Sequence, residues 1–100
     1  MNNIITVDQI IGRWMLVKTD GTIDIGDKVE MTISSDGKIE YRIHDKSKIQ
    51  IINLTYRLEG NILVTDQLSA PREERTSLSL DKDCLILSYQ DSISWFKKMV

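Results

Sequence analysis

From Lys28 towards the C-terminus, apolar and polar residues change places at almost every step. "KVEMTIS" sets Val29, Met31 and Ile33 on one face against Lys28, Glu30 and Thr32 on the other. "KIEYRIH" repeats the pattern with Ile39, Tyr41 and Ile43 against Glu40, Arg42 and His44. Further on, "RTSLSLD" offers Thr76, Leu78 and Leu80, "CLILSY" offers Leu85, Leu87 and Tyr89, and "ISWFKK" offers Ile93 and Trp95. A period of two sends successive side chains to opposite faces, so each stretch reads as a strand with one face buried and one wet. About eight strands result, over 13–19, 27–35, 38–44, 48–58, 61–66, 72–81, 84–89 and 92–98. In the fourth, Ile49 and Ile51 fall out of phase with Leu54, Tyr56 and Leu58, and a bulge near Ile52–Asn53 would reconcile them.

The connections sort into two kinds. Ser35-Asp36-Gly37, Gly60-Asn61 and Asp81-Lys82-Asp83 are compact hairpin signals. Between them lie "DGTIDIGD" (20–27), "DKS" (45–47), "DQLSAP" (66–71) and "QDS" (90–92). In an up-and-down meander the compact turns collect at one end, sealing it, and the other connections collect at the opposite, open end. A meander left flat would expose unpaired backbone along both edges, and no helix is available to cover it. Pairing the first strand with the last removes both edges, which predicts an all-β, antiparallel, up-and-down barrel as one domain over 1–100.

Only a short helical turn precedes the first strand. Thr6 and Gln9 have capping-box spacing, Ile5 and Ile10 stand at the hydrophobic-staple positions, and Gly12 can adopt the backbone that ends such a turn. The turn delivers the chain into "IIGRWMLV" (10–17), where Gly12 and Trp14 open the first strand.

Gly12-x-Trp14 after a helical turn, the antiparallel meander, and a basic residue closing the last strand (Lys97 or its neighbour Lys98) together resemble the lipocalins and the wider calycin barrels. The resemblance spans nearly the whole chain. It implies that Trp14 packs across the sealed end beneath the basic side chain, for which Lys97 is the choice here, standing where the family has an Arg. It also implies that a small ligand enters from the other end.

Composition removes several functions. Charged residues make up 28% of the chain and the net charge is −2, with both signs interspersed, so the basic stripe that nucleic acid requires is missing. The N-terminal "MNNIITVDQ" has neither the basic flank nor the long apolar run of a signal peptide or membrane span, which places the protein in the cytoplasm without membrane contact. Cys84 is the only cysteine and His44 the only histidine, so neither an internal disulfide nor a His- or Cys-rich metal site is expected. Both point outward by parity. One histidine would have to serve every triad scheme, so we expect no catalysis and no cofactor.

What remains is a binding protein. Alternation predicts an interior of Trp14, Leu16, Val29, Met31, Ile33 and Ile39, with Tyr41, Ile43, Leu54, Tyr56 and Leu58, then Ile62, Val64, Leu78 and Leu80, and last Leu85, Leu87, Tyr89, Ile93 and Trp95. So many large residues favour a filled barrel with a shallow mouth over a deep pocket. In "APREERT" (70–76) the same parity turns Glu74 and Arg72 inward near the open end, with Lys18 and Tyr89 facing them. Polar groups converging above an apolar well are the usual form of a small-molecule site. Arg72 or Lys18 would anchor an anionic head group while aromatics such as Tyr41 and Tyr56 hold the apolar part. The plainer alternative for the charged run is a solvated, salt-bridged strand end. A different functional class also stays open: a protein-binding module of inhibitor or immunity type, using the open-end loops or the outer face.

Overall fold

Eight antiparallel strands close into a barrel in which every strand pairs with its sequence neighbours and the first pairs with the last. The computed structural model describes residues 4–20, 28–45, 47–67, 73–89 and 92–99, and of Asp20 and Asp45 the backbone alone. A short helix α1 (Val7–Ile10) leads into β1 (Gly12–Asp20), followed by β2 (Lys28–Ile33), β3 (Lys38–Asp45) and β4 (Lys48–Glu59). The second half comprises β5 (Ile62–Gln67), β6 (Glu74–Asp81), β7 (Cys84–Tyr89) and β8 (Ser92–Lys98). As expected from the edge argument, β1 and β8 are antiparallel partners, from Trp14 opposite Lys98 to Asp20 opposite Ile93. No helix among the described residues is long and apolar enough to cross a membrane.

The end with the compact turns is sealed from inside. Ile5 before α1 and Ile10 at its last position are buried, and the Ile5 N–H donates to Asn61 Oδ1 in the β4–β5 turn at 2.8 Å. The Thr6 N–H donates to Gln9 Oε1 at 2.9 Å, which is the reaching-back half of the capping box. Trp14 is 1% exposed, and its indole N–H donates to the Ile10 carbonyl at 2.9 Å, so its polar atom enters the core satisfied. Met31, Ile33, Ile39, Leu63, Leu78, Leu85, Leu87 and Phe96 complete this buried cluster.

The basic residue over Trp14 is Lys98 and not Lys97. Lys98 lies opposite the inward-facing Trp14, whereas Lys97 lies opposite Met15 and Cys84 on the outer face. The Lys98 ammonium sits 5.6 Å from the Trp14 ring centre, within cation–π reach. Gly12 makes room for it. At φ +136° a Cβ on Gly12 would stand 3.3 Å from Lys98 Cε, so both its backbone and its missing side chain serve this contact.

Inward assignments change in three strands. Between Leu16 and Lys18 the β1–β8 register shifts, which makes Val17 an extra residue and puts Lys18 outside, its ammonium 5.1 Å from the Trp95 ring centre. In β5 the interior cluster takes Leu63, while Val64, also buried, lies between Arg57 and Arg75 in the outer register and Ile62 falls on that same outer parity. In β8 the core takes Phe96, so Ile93 and Trp95 belong to the outer face. The pairing of β3 with β4 runs without a break, so no bulge rescues Ile49 and Ile51, which remain 57% and 50% exposed.

Replacing Trp14 with Ala should cost about 3–5 kcal/mol in chemical denaturation, because a hole of that size at the sealed end cannot collapse. Lys98→Ala should cost about 0.5–1 kcal/mol, the range for an exposed cation–π contact, and Lys97→Ala should leave the midpoint in place. Equal effects of the two lysines would remove the assignment of Lys98.

Candidate functional site

The sealed cluster fills only part of the barrel. Above it, towards the strand ends joined by residues 21–27, 46–47, 68–73 and 90–91, lies a cavity of about 770 Å³. That is well inside the range of small-molecule sites. Leu16, Val29, Ile43, Leu54, Leu87 and Phe96 give it apolar walls, joined by Ile52 and Leu63. Thr19, Thr65, Thr76, Ser92 and Ser94 contribute short hydroxyl side chains, and Tyr41, Tyr89 and Glu74 complete the lining.

The space exists because short residues occupy inward positions that large ones were expected to fill. Ile62, Val64, Ile93 and Trp95 point away, and Thr65, Ser92 and Ser94 take their places along the inner wall. Thr19 joins them because the bulge at Val17 turns it inward. The filled barrel read from alternation is thereby replaced by a hollow upper half.

The predicted site residues separate. Tyr41, Glu74 and Tyr89 line the cavity. Lys18 does not, being outside over Trp95. Tyr56 packs against the core near the sealed end, where its hydroxyl donates to the Ser34 carbonyl at 2.7 Å and its N–H to the Gly37 carbonyl at 2.9 Å. Arg72 lies outside the described residues. Gly12 and Trp14 belong to the sealed end, as does Lys98 in place of Lys97.

The charged run around Glu74 divides between the two faces. Glu73 and Arg75 point outward and form a ring of ion pairs with Arg57 and Glu59: Arg75 Nη1 is 2.9 Å from Glu59 Oε1, and Arg57 Nε is 2.8 Å from Glu59 Oε2. The Arg75 and Arg57 hydrogen bonds hold the Glu59 carboxyl below its usual range. Glu74, between them in sequence, faces Thr65 across the ladder and enters the cavity.

Tyr41 reaches the same space from the far wall, three strands away in an eight-stranded circuit. Burial, and then the Glu74 carboxylate, push its phenol up to about 12, since both disfavour a phenolate. On the outer face His44 is half-buried. Its Nε2 lies 3.9 Å from Glu30, whose carboxyl is held low by the hydrogen bond from Lys28 at 3.2 Å.

Sequence reasoning missed Thr19, Ile52, Leu63, Thr65, Ser92, Ser94 and Phe96. Hairpin pairing carries the signal for most of them, because directly opposed residues share a face. With Leu58 inward, the two-residue turn Gly60-Asn61 puts Leu63 inward; with Tyr89 inward, the two-residue connection 90–91 puts Ser92 inward. Only Thr19 depends on a bulge that no pattern announces.

No family model matches the chain, and no curated protein is significantly similar to it. Among solved structures the chain is similar to an uncharacterized protein from Bacteroides eggerthii, with a TM-score of 0.73 and 14% sequence identity over 89% of this chain and 98% of that one. At that identity the likeness concerns the fold alone.

The raised phenol has a sign in stability. A group that holds its proton more tightly when folded stabilises the fold fully below its unfolded value of 10.0, and that contribution drains away as pH rises towards about 12. Stability measured by denaturation should therefore fall more steeply across this window in the wild type than in Tyr41→Phe. Ultraviolet titration should lose its highest tyrosine transition in the variant; an unchanged titration would place Tyr41 outside the enclosed cavity.

Proposed function

We propose that this protein binds a small, partly apolar molecule inside the barrel, in the manner of a lipocalin-like carrier, and performs no chemistry on it. The observation that carries the reading is the cavity of about 770 Å³, with apolar walls and a few inward polar groups. A chain that merely needed to fold would gain by filling that volume, because every unfilled space forfeits contacts with its lining. Short residues at Thr65, Thr76, Ser92 and Ser94 keep it open instead. The cytoplasmic setting is part of the same proposal and leans on the single free thiol, Cys84.

The second reading, a protein-binding surface, draws on Ile49 and Ile51, exposed two positions apart on β4. Two isoleucines make a smaller feature than the cavity, and we place the ligand first.

Native mass spectrometry of the purified protein should show a retained small molecule, or uptake of added decanol. Ser94→Phe fills the cavity from a residue that buries nothing large; it should abolish uptake while leaving thermal stability equal or higher. Amide shifts on adding decanol should concentrate at Thr65, Leu87 and Phe96. No uptake, with no shifts at these residues, would overturn the ligand reading in favour of the protein partner.

A further inference from the structure

Glu74 is the residue whose placement the packing alone does not explain. Glu30, Glu40, Glu59 and Glu73 lie on the outer face beside basic partners. Among the described residues Glu74 has no ion pair and accepts no hydrogen bond, although it is half-buried and faces a cavity walled by leucines, isoleucines and aromatics with short hydroxyl residues between them. Opposite it, the Tyr41 hydroxyl is likewise without a hydrogen-bond partner among the described residues, and Tyr41 feels the Glu74 charge across the interior. A carboxylate directed into such surroundings calls for compensation by a counter-charge or donors.

We propose that the cavity selects cations: its ligand carries an apolar body and a protonated amine, with the ammonium held between the Glu74 carboxylate and the Tyr41 hydroxyl. The inference deepens the binding reading above and rests on it. An ammonium offers several N–H donors, enough to serve the carboxylate and the phenol oxygen together, and charge-assisted hydrogen bonds are the stronger kind. Tyr41 and Tyr89 also bring aromatic rings to the wall, a residue type that suits a cation. An anionic head group meets the opposite situation, since it would bring a second negative charge beside Glu74. The inward basic anchor foreseen at Lys18 is spent on the outer face over Trp95. Leu16, Leu54, Leu87 and Phe96 then hold the apolar body beneath the charge.

The test uses three probes of one length: decylammonium, decanol and decanoate, each below its micellar concentration, titrated into the full chain by calorimetry at neutral pH. Decylammonium should bind at least tenfold tighter than decanol, and decanoate weaker than decanol. Glu74→Gln should erase the ammonium preference, and an unchanged circular dichroism spectrum and thermal midpoint would show that the variant folds. Tyr41→Phe should reduce the preference in part. Equal binding of decylammonium and decanol, or a preference that survives Glu74→Gln, would overturn the cation inference and leave the ligand reading standing. If none of the three binds, the ligand reading itself falls, and the inference with it.

Discussion

The pairing of β1 with β8 is the contact on which the other features depend. It leaves neither terminal strand as a bare edge, and by fixing the circuit at eight strands it sets the width of the interior. At that width side chains can fill the barrel or leave room for one small molecule, and the choice falls to the identity of the inward residues. Closure also demands that two strands distant in sequence agree in register. They do so with one extra residue, Val17, inserted between Leu16 and Lys18. That insertion turns Lys18 out over Trp95 and Thr19 in, so the irregularity that accompanies closure also shapes the cavity wall.

The two ends divide the work. At the sealed end large residues are packed and their polar atoms satisfied: the Trp14 indole N–H on the Ile10 carbonyl, the Tyr56 hydroxyl on the Ser34 carbonyl, the Ile5 N–H on Asn61. Such satisfaction removes the cost of burying polar groups and leaves the apolar contacts to stabilise the fold. At the other end the lining is small or hydroxyl-bearing, and Glu74 stands without an ionic partner among the described residues. Stability gathers around Trp14, and the proposed recognition would fall to the half of the barrel that packing did not consume.

How far the chain could be read without its structure follows the same division. Period-two alternation was unambiguous in β2, β3, β6 and β7, and there the described inward residues agree with the structure, Arg72 lying outside them. Alternation failed where the apolar run is continuous. Ile62, Leu63 and Val64 carry no phase of their own, and Trp95 beside Phe96 offers two large residues for one inward position. In both cases hairpin geometry decides: Leu58 opposite Leu63, and Leu87 opposite Ser94. The choice of Lys97 failed for the same reason, since the phase of β8 sets which lysine meets Trp14. Ile49 and Ile51 misled in the other direction, because apolar character suggested burial where an unbroken register leaves them exposed.

Within the candidate site, Tyr41, Glu74 and Tyr89 share the cavity because their strands have clean phase. Lys18 was lost to the bulge, which no local pattern marks, and Tyr56 to a backbone hydrogen bond that holds it at the sealed end. These two departures alter the chemistry more than the fold. Without Lys18, the charge placed in the described cavity wall is negative, and the wall otherwise offers aromatic rings, hydroxyls and hydrocarbon. An acid entering such a well would bring a second negative charge beside Glu74. On the cation inference, the well's charge, its phenol and its aromatic rings would serve one guest that brings donors and a positive charge to the same point.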